Sequence, residues 1–296
     1  MYTSKRLDQI FASAKEISFS NYSRIILMSD CHRGDGSKAD DFAPNKKIYQ
    51  ESLLFYYRRG FTYIELGDAD ELWEAHTYTN ILQSYPDIFQ ILQRFYLHNR
   101  YLAVWGNHDI VKKELAFRKN NLYFSKDDDQ PLFPGIEAFE GLILKYSGTP
   151  FKIFLIHGHQ GDPINDRYWR VSRFLTKNIW RPLEFLGVND PISPAVNHRK
   201  KNTIEKRLIE WVTTNNQMMI AGHTHRPVFP SPGEAPYFND GSCVHPDGIT
   251  GMELVGGTIA LVKWERRLNK SGDINIVRNV LAGPRPLWSI FIDKSA

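Results

Sequence analysis

An apolar stretch that ends in three polar residues limits most strongly what this chain can fold into. The sequence YLAVWGNHD runs from Tyr101 to Asp109 and has the composition of a buried strand as far as Gly106. Asn107, His108 and Asp109 would each need a polar partner if they served only as packing. The three side chains suit a reaction site instead: an amide oxygen can bind a metal, and a histidine held by a carboxylate can transfer a proton.

Four further stretches repeat this arrangement of a short apolar strand followed by histidine or aspartate. They are MSDCHRGD at 28–35, LGDADELW at 66–73, LIHGHQGD at 155–162 and IAGHTHRP at 220–227. A single Gly-Asn pair after a strand is also typical of an ordinary turn. Five such strand ends together predict a shared site, because sheets of this kind place ligand sites in the loops at strand carboxyl ends.

The five motifs together resemble those of the calcineurin-like metallophosphoesterase superfamily, in the order that the family uses, from Ile25 to Pro227. The resemblance implies two facing sheets with helices outside. The chain pattern agrees, since alternating strands and helices come first and hairpins follow, one about Gly148 and one about Gly256. We therefore expect an α/β fold, a four-layer α/β/β/α sandwich of two mixed sheets with flanking helices and a small helical cap.

The cofactors that the resemblance implies are two divalent metal ions, Mn, Fe or Zn, bound by carboxylate oxygen and imidazole nitrogen. Matched position by position, one metal would be held by Asp30, His32, Asp68 and His225, and the other by Asp68, Asn107, His157 and His223. Asp68 would bridge the two ions. A hydroxide between the metals would be the nucleophile, because metal binding lowers the pKa of water toward neutrality.

Further roles follow for the residues beside these ligands. His108 is the candidate general acid or phosphate-oxygen stabiliser, and Asp109 would orient its ring through a hydrogen bond. Glu71 falls on an acidic position of the family motif and is expected to brace the site, whereas Asp70 has no such match. His159 is the second imidazole of the HGH sequence, and we expect it at the rim of the site as a substrate-binding residue.

Three features of the sequence indicate a particular branch of the family. They are Trp73 after the acidic position, Arg226-Pro227 after the last motif, and the run HGHQGDPINDRYWRVSRF from a ligand strand into a basic aromatic helix. This combination resembles the branch that contains UDP-2,3-diacylglucosamine pyrophosphohydrolase, whose members carry a helical cap, and implies a phosphate-ester or diphosphate substrate with an apolar group. His108 is a departure: well-known pyrophosphohydrolases of that branch have arginine there, whereas phosphomonoesterases and protein Ser/Thr phosphatases keep histidine.

Positive charge is concentrated in residues 167–207, which hold ten Lys/Arg and three acids, although the whole chain carries only +4. Aromatic residues alternate with these charges. We expect the segment 163–216 to be a basic helical cap within a single domain, 1–296, with Arg170 and Arg173 as substrate contacts. The alternatives are contact with a membrane or anionic lipid, nucleic-acid binding, and a solvated helix face whose aromatic residues pack on the core.

The function expected from these residues is hydrolysis of a phosphoester or diphosphate bond in an anionic phosphate-containing substrate. The alternatives are a protein Ser/Thr phosphatase, a nucleic-acid phosphodiesterase on the same metal site and, more remotely, a non-catalytic scaffold.

The start MYTSKRLDQIF lacks the form of a signal peptide, no apolar stretch approaches ~18 residues, and the two cysteines fit a reducing compartment. The expected location is the cytoplasm, with a peripheral position at the inner membrane face as the alternative.

Overall fold

The computed structural model describes residues 2–73, 77–121, 131–176, 198–269 and 271–292. Within these ranges the chain forms two β-sheets and a set of α-helices. The strands are β1 (Lys15–Phe19), β2 (Arg24–Met28), β3 (Thr62–Leu66), β4 (Tyr101–Val104), β5 (Ala138–Phe139), β6 (Gly141–Tyr146), β7 (Lys152–Ile156), β8 (Met218–Ala221), β9 (Tyr237–Asn239), β10 (Ile249–Val255), β11 (Thr258–Leu268) and β12 (Ile274–Pro286). The helices are α1 (Tyr2–Ser13), α2 (Lys46–Arg58), α3 (Tyr78–Ser84), α4 (Pro86–Leu97), α5 (Leu115–Asn121), α6 (Pro163–Arg167), α7 (Trp169–Leu175), α8 (His198–Thr214) and α9 (Leu287–Ile292).

Both sheets mix parallel and antiparallel pairs. The seven-stranded sheet has the order β12-β11-β10-β2-β3-β4-β5, in which β2 to β5 are parallel and β10 to β12 are antiparallel. The five-stranded sheet has the order β1-β6-β7-β8-β9, and only its β6–β7 hairpin is antiparallel. The hairpin about Gly148 and the hairpins of the C-terminal part are as the sequence predicts.

The alternation of side chains along β2 shows how the layers are built. Ile25 and Leu27 contribute to the core between the two sheets, whereas Ile26 and Met28 belong to the core under α2 and α4. Such a strand is buried on both faces and reads as a continuous apolar run, because successive side chains point to opposite faces.

The other side of the molecule has a core of its own. Leu7 of α1 and Leu208 of α8 pack with Phe154 and Met219 of the five-stranded sheet. The order of layers is therefore helices, seven-stranded sheet, five-stranded sheet, helices. The predicted four-layer α/β/β/α sandwich is confirmed.

Two elements differ from what local sequence patterns predict. Apolar residues at helical spacing predict a helix over residues 4–17, but α1 ends at Ser13 and Ile17 lies in β1, which pairs with β6. The parallel pairing with a distant strand outweighs the local helical pattern at that position. Residues 137–147 have the pattern of one strand, but they form two strands in different sheets, because the chain crosses from one sheet to the other at Glu140.

The predicted cap is described only in part. Its first stretch forms two short helices, α6 and α7, that meet at Tyr168. The last stretch is α8, and residues 177–197 lie outside the described residues. In the described part of the chain, no helix is both long and apolar enough to cross a membrane.

The topology places all five motifs at one edge. Three motifs follow the carboxyl ends of the neighbouring parallel strands β2, β3 and β4. The other two follow β7 and β8, which are parallel neighbours in the facing sheet. Carboxyl ends of parallel strands meet at the same edge, so the two sheets bring five loops to one place.

Candidate metal centre

Five of the predicted metal ligands have an unusual backbone conformation. Asp30, His32, Asp68, His223 and His225 have φ angles between 47° and 68°. Residues other than glycine seldom adopt this left-handed region, and each such residue costs on the order of 1–3 kcal/mol. Backbone strain of this kind persists where surrounding contacts fix it, and it concentrates at functional sites.

Hydrogen bonds between loops fix these turns. The amide of Asp30 donates to the carbonyl of Gly67 at 3.0 Å, and the amide of His32 donates to the carbonyl of Asp68 at 2.9 Å. Gly67 leaves no room for a side chain, because a Cβ atom there would lie 2.5 Å from Cγ of His157. The loops after β2, β3 and β7 therefore pack closely enough to place their side chains in one cluster.

Side chains of six predicted ligands come together in two groups. The groups are Asp30, His32 and His225, and Asp68, His157 and His223, and within each group the ligand atoms lie within 4.8 Å of one another. Asp68 Oδ2 lies 3.0 Å from His157 Nε2 and 3.9 Å from His32 Nε2, so it reaches toward both groups. This geometry fits a shared carboxylate, and the bridging role stays a prediction.

Atoms suited to metal binding are buried here without hydrogen-bond partners among the described residues. They are Asp30 Oδ1, His32 Nε2, Asn107 Oδ1, His157 Nε2 and His223 Nε2. Buried polar atoms seldom lack a partner, because each one costs about 1–3 kcal/mol. Other atoms of the same side chains are paired: Asp30 Oδ2 accepts from the His223 amide at 2.8 Å, and His157 Nδ1 lies 3.0 Å from the Leu66 carbonyl. Carboxylate oxygen, amide oxygen and imidazole nitrogen form a donor set that fits divalent metal ions.

The carboxylates of this cluster favour positive charge. Burial lowers the pKa of His157, but Asp68 and Asp30 outweigh it and raise that pKa to about 9. Burial raises the pKa of Asp68, yet His157 and His108 hold it well below its usual range. The field that favours a proton on His157 would also stabilise a divalent cation beside it.

Glu71 contacts both a predicted ligand and the candidate general acid. Its Oε2 lies 2.8 Å from Nδ1 of His32 and 2.7 Å from Nδ1 of His108. Burial raises the pKa of Glu71, but the two histidines bring it down to about 2, so the carboxylate is charged at neutral pH. Trp73 stacks on the His108 ring, with ring centres 4.2 Å apart. Glu71 and Trp73 together fix the orientation of His108 and leave Nε2 as its available nitrogen.

The predicted role of Asp109 is wrong. Its Oδ1 accepts from the Gly106 amide at 2.7 Å, and its Oδ2 accepts from the Ala69 amide at 3.2 Å and from Lys112 Nζ at 2.8 Å. The carboxylate therefore joins the loops after β3 and β4 and does not orient the ring of His108. Glu71 takes that role, since a contact between neighbouring loops places it at the ring.

Behind the cluster lies a chain of buried charges that the sequence analysis missed. Lys112 Nζ lies 2.6 Å from Asp70 Oδ2, and Arg33 Nε donates to Asp70 Oδ1 at 2.7 Å. Arg33 Nη1 donates to Glu65 Oε1 at 2.8 Å, so this series of ion pairs extends from β3 to the turn after Asp109. One sequence signal was available: Lys112 follows Asp109 by three residues, a spacing at which side chains on a helical turn meet.

We expect Lys112→Met to destabilise the fold. The substitution leaves Asp70 and Asp109 buried without their ammonium partner, and breaking a buried ion pair costs about 3–5 kcal/mol. Urea unfolding should show a loss near the lower value, because the Lys112 side chain keeps 11% exposure. Lys119→Met, at an exposed position on α5, is the matched control and should change stability by less than about 0.5 kcal/mol. Equal midpoints for the two variants would contradict the structural role of the charge chain.

His159 is not at the rim of the site. The residue has no exposed surface, and its ring centre lies 5.6 Å from that of His157 and 6.3 Å from that of His223. A short helical turn, His159–Gly161, begins at Gly158 with a φ of 112° and carries the ring inward. Burial, with the two neighbouring histidines, holds the pKa of His159 well below its usual range. Direct substrate contact by this side chain is therefore excluded in this conformation.

The other two predicted substrate contacts lie on α7. Arg170 is exposed and lies over the ring of Trp169, and Arg173 is half-buried. Lys113 Nζ lies 5.7 Å from the ring centre of Trp105 and 5.4 Å from that of Trp169. Because Trp105 precedes the Asn107 loop by two residues, this contact places the start of α7 beside the loop after β4.

Comparison with known proteins adds a family and a set of distant structures. The sequence model of the calcineurin-like phosphoesterases matches residues 23–227. No curated protein matches the chain. One similar solved structure is a predicted phosphoesterase from Streptococcus pneumoniae TIGR4, with 15% sequence identity, coverage of 87% of this chain and 97% of that chain, and a TM-score of 0.35. Another is vacuolar protein sorting 29 from Cryptosporidium parvum, with 16% identity, coverage of 88% of this chain and 98% of that chain, and a TM-score of 0.40. A third is a cold-active protein-tyrosine phosphatase of a Shewanella species, with 12% identity, coverage of 90% of this chain and 83% of that chain, and a TM-score of 0.38.

The match spans all five motifs. It begins at residue 23, directly before β2, and it ends at Pro227, two residues after the last predicted ligand, His225. The two-sheet sandwich and the convergence of the motif loops at one edge agree with it. The chain belongs to the calcineurin-like phosphoesterase family.

Proposed function

We propose that this protein is a dinuclear-metal-dependent hydrolase of a phosphoester or diphosphate bond. The observation that carries the proposal is the set of five buried ligand atoms that have no hydrogen-bond partner among the described residues, at the edge where the motif loops meet. Asp30, His32, Asp68 and His225 would hold one metal, and Asp68, Asn107, His157 and His223 the other. Such a metal pair supplies an activated water and binds phosphoryl oxygens when it is present.

The protein's own residues have distinct tasks in this proposal. Asp68 would be the ligand common to both metals. The orientation of its carboxylate is fixed, because Oδ1 accepts a hydrogen bond from the His108 amide at 2.8 Å. His108 Nε2 would give a proton to the leaving oxygen or stabilise its charge. Glu71 Oε2 accepts a hydrogen bond from Nδ1 of the His108 ring and so leaves Nε2 to face the substrate; the ring would act as an acid when both of its nitrogens carry a proton.

Positive charge near the cluster supports an anionic substrate. Lys201 of α8 is only 9% exposed, and its pKa is lowered by burial and by Arg226, while Asp30 raises it. Lys113 and Arg170 add charge on the side of α7. This charge agrees equally with a protein Ser/Thr phosphatase or a nucleic-acid phosphodiesterase, which share the same metal chemistry.

A substrate with an apolar part is favoured by the surface of α6 and α7. Tyr168, Val171 and Phe174 are 54%, 56% and 62% exposed, and Arg170 and Arg173 lie between them in the sequence. Exposed apolar groups interleaved with cations suit an anionic molecule with an apolar group, or an anionic lipid surface. We therefore propose that α6 and α7 form part of a substrate-binding cap over the metal site.

The function is tested by loading the protein with Mn²⁺ and measuring hydrolysis of four substrates. They are p-nitrophenyl phosphate, bis-p-nitrophenyl phosphate, a nucleotide diphospho-sugar and a phosphopeptide. We expect hydrolysis of at least one and its loss on chelation. Hydrolysis of none of them, with metal bound, would favour the scaffold, and salt-dependent binding to DNA or RNA would favour the phosphodiesterase.

We expect charge reversal in the cap to discriminate between substrates. Arg170→Glu or Arg173→Glu should raise KM for the larger anionic substrates by about tenfold, because a charged hydrogen bond contributes about 1.5–3 kcal/mol. The same variants should leave p-nitrophenyl phosphate nearly unchanged, since a small ester would not reach α7. Arg58→Glu, at an exposed position on α2, is the control. Equal and weak responses of all substrates would leave α7 as a solvated face.

A further inference from the structure

A second cleft lies at the edge of the seven-stranded sheet that is remote from the motif loops. Its volume is about 350 Å³, within the range of small-molecule sites. Arg24 begins β2, and Phe61 directly precedes β3, whereas the motif loops follow the carboxyl ends of these strands. The five residues of β2 separate the two sites by about 15 Å. The cleft is therefore a separate site, independent of the metal cluster.

The floor of the cleft is apolar. It is lined by Phe55 of α2, Phe61, Val255 of β10, and Ala260 and Val280 of β11 and β12. Phe61 and Ala260 are 5% and 6% exposed, so they belong to the packed interior, while Val280 is 45% exposed at the opening. A ligand here would bury an apolar body against a rigid sheet and helix.

The rim of the cleft carries two arginines, Arg24 and Arg59. Arg24 Nη1 donates to the carbonyl of Arg59 at 3.0 Å, and the Arg59 guanidinium lies 3.7 Å from the ring centre of Phe55. Neither has a carboxylate within 4.0 Å among the described residues. Arg278, the third arginine of the lining, is paired with Glu253, its Nε donating to Oε1 at 2.7 Å. The lining thus carries two positive charges that the fold does not neutralise.

We propose that this cleft binds a medium-chain carboxylate. The carboxylate would accept hydrogen bonds from Arg24 and Arg59, since planar guanidinium groups match carboxylate geometry. The alkyl chain would lie on Phe55, Phe61 and Ala260. A neutral apolar ligand would fill the floor but leave both guanidinium groups without an anionic partner, and a free inorganic anion would leave the apolar floor in water.

Isothermal titration of the full chain with octanoate tests the proposal. We expect one site per chain in the millimolar range or tighter, and no comparable binding of 1-octanol. Arg24→Gln and Arg59→Gln should each weaken octanoate binding about tenfold, because each removes a charged hydrogen bond. Arg58→Gln changes the exposed last residue of α2, which does not line the cleft, and this variant should bind octanoate as the original protein does.

Filling the cleft gives a second test that does not depend on charge. Ala260→Leu should abolish octanoate binding, and hydrolysis of p-nitrophenyl phosphate should remain unchanged in all four variants. If Ala260→Leu fails to fold, the two arginine variants decide alone.

Three results would overturn the inference. They are no octanoate binding, equal binding by octanoate and 1-octanol, and binding that none of the arginine or Ala260 substitutions alters. Dimerisation without octanoate that is lost in the Arg24 and Arg59 variants would also overturn it, since a second copy of the chain would then occupy the cleft. Failure of octanoate binding leaves the proposed hydrolase untouched, because the two sites share no residue.

Discussion

Asp68→Ala is expected to bind neither metal and to lose hydrolysis to the background rate. Asp68 Oδ2 reaches toward both histidine groups, at 3.0 Å from His157 Nε2 and 3.9 Å from His32 Nε2, so one substitution removes a ligand from both ions. Two metals in such a site need a shared ligand to stay close together. Elemental analysis of the purified variant should therefore fall from two equivalents to none.

The control for this experiment must separate lost metal from lost fold. Asp68 Oδ1 also accepts from the His108 amide, and Asp68→Asn keeps an acceptor there while it removes the charge. We expect Asp68→Asn to fold, as judged by circular dichroism, and to bind metal weakly. Asp41→Ala, an exposed carboxylate, should keep both equivalents. Two equivalents retained by folded Asp68→Ala would show that the carboxylate does not bridge.

His108→Ala should lower kcat by ~10²–10⁴-fold on substrates with poor leaving groups, while metal content stays unchanged. The physical reason is that Nδ1 is occupied by Glu71, which leaves Nε2 to give a proton to the leaving oxygen or to stabilise its charge. Good leaving groups such as p-nitrophenolate need less help, so their rates should fall less. Steady-state kinetics on an alkyl phosphate and an aryl phosphate would show the difference.

Two further variants identify the reason for any loss. Glu71→Gln keeps an oxygen near both rings and should cost less than His108→Ala, because orientation is weakened and the proton donor remains. His98→Ala, an exposed histidine after α4, should have no effect. Equal rates of His108→Ala and the original protein on the alkyl phosphate would remove His108 from the mechanism.

The layered fold and the location of the site could be predicted from the sequence because both rest on local patterns. A strand buried on both faces reads as an apolar run, as at Ile25–Met28, and a polar group directly after it marks a loop at the sheet edge. The predicted ligands come together for this reason, at the ends of five strands. Their backbone conformation could not be predicted, because the left-handed φ of Asp30 or His223 is fixed by neighbouring loops.

The errors concern contacts between segments that are distant in sequence. Asp109 is adjacent to His108, yet its carboxylate turns to the amide of Ala69, forty residues away. His159 lies two residues after His157, yet a helical turn buries it. The charges of Arg33 and Asp70 are invisible as a pair until β2 and β3 are placed side by side. Adjacency in sequence was a poor guide to side-chain direction where the chain leaves a strand.

The most direct measurement is a Mn²⁺ titration of metal-free protein, with bound metal and hydrolysis of the best substrate followed together. We expect two equivalents of Mn²⁺ bound per chain, with hydrolysis rising mainly as the second is bound, and no activity without metal. Hydrolysis that is complete at one equivalent, or that persists after chelation, would contradict a dinuclear centre at this edge of the sheets.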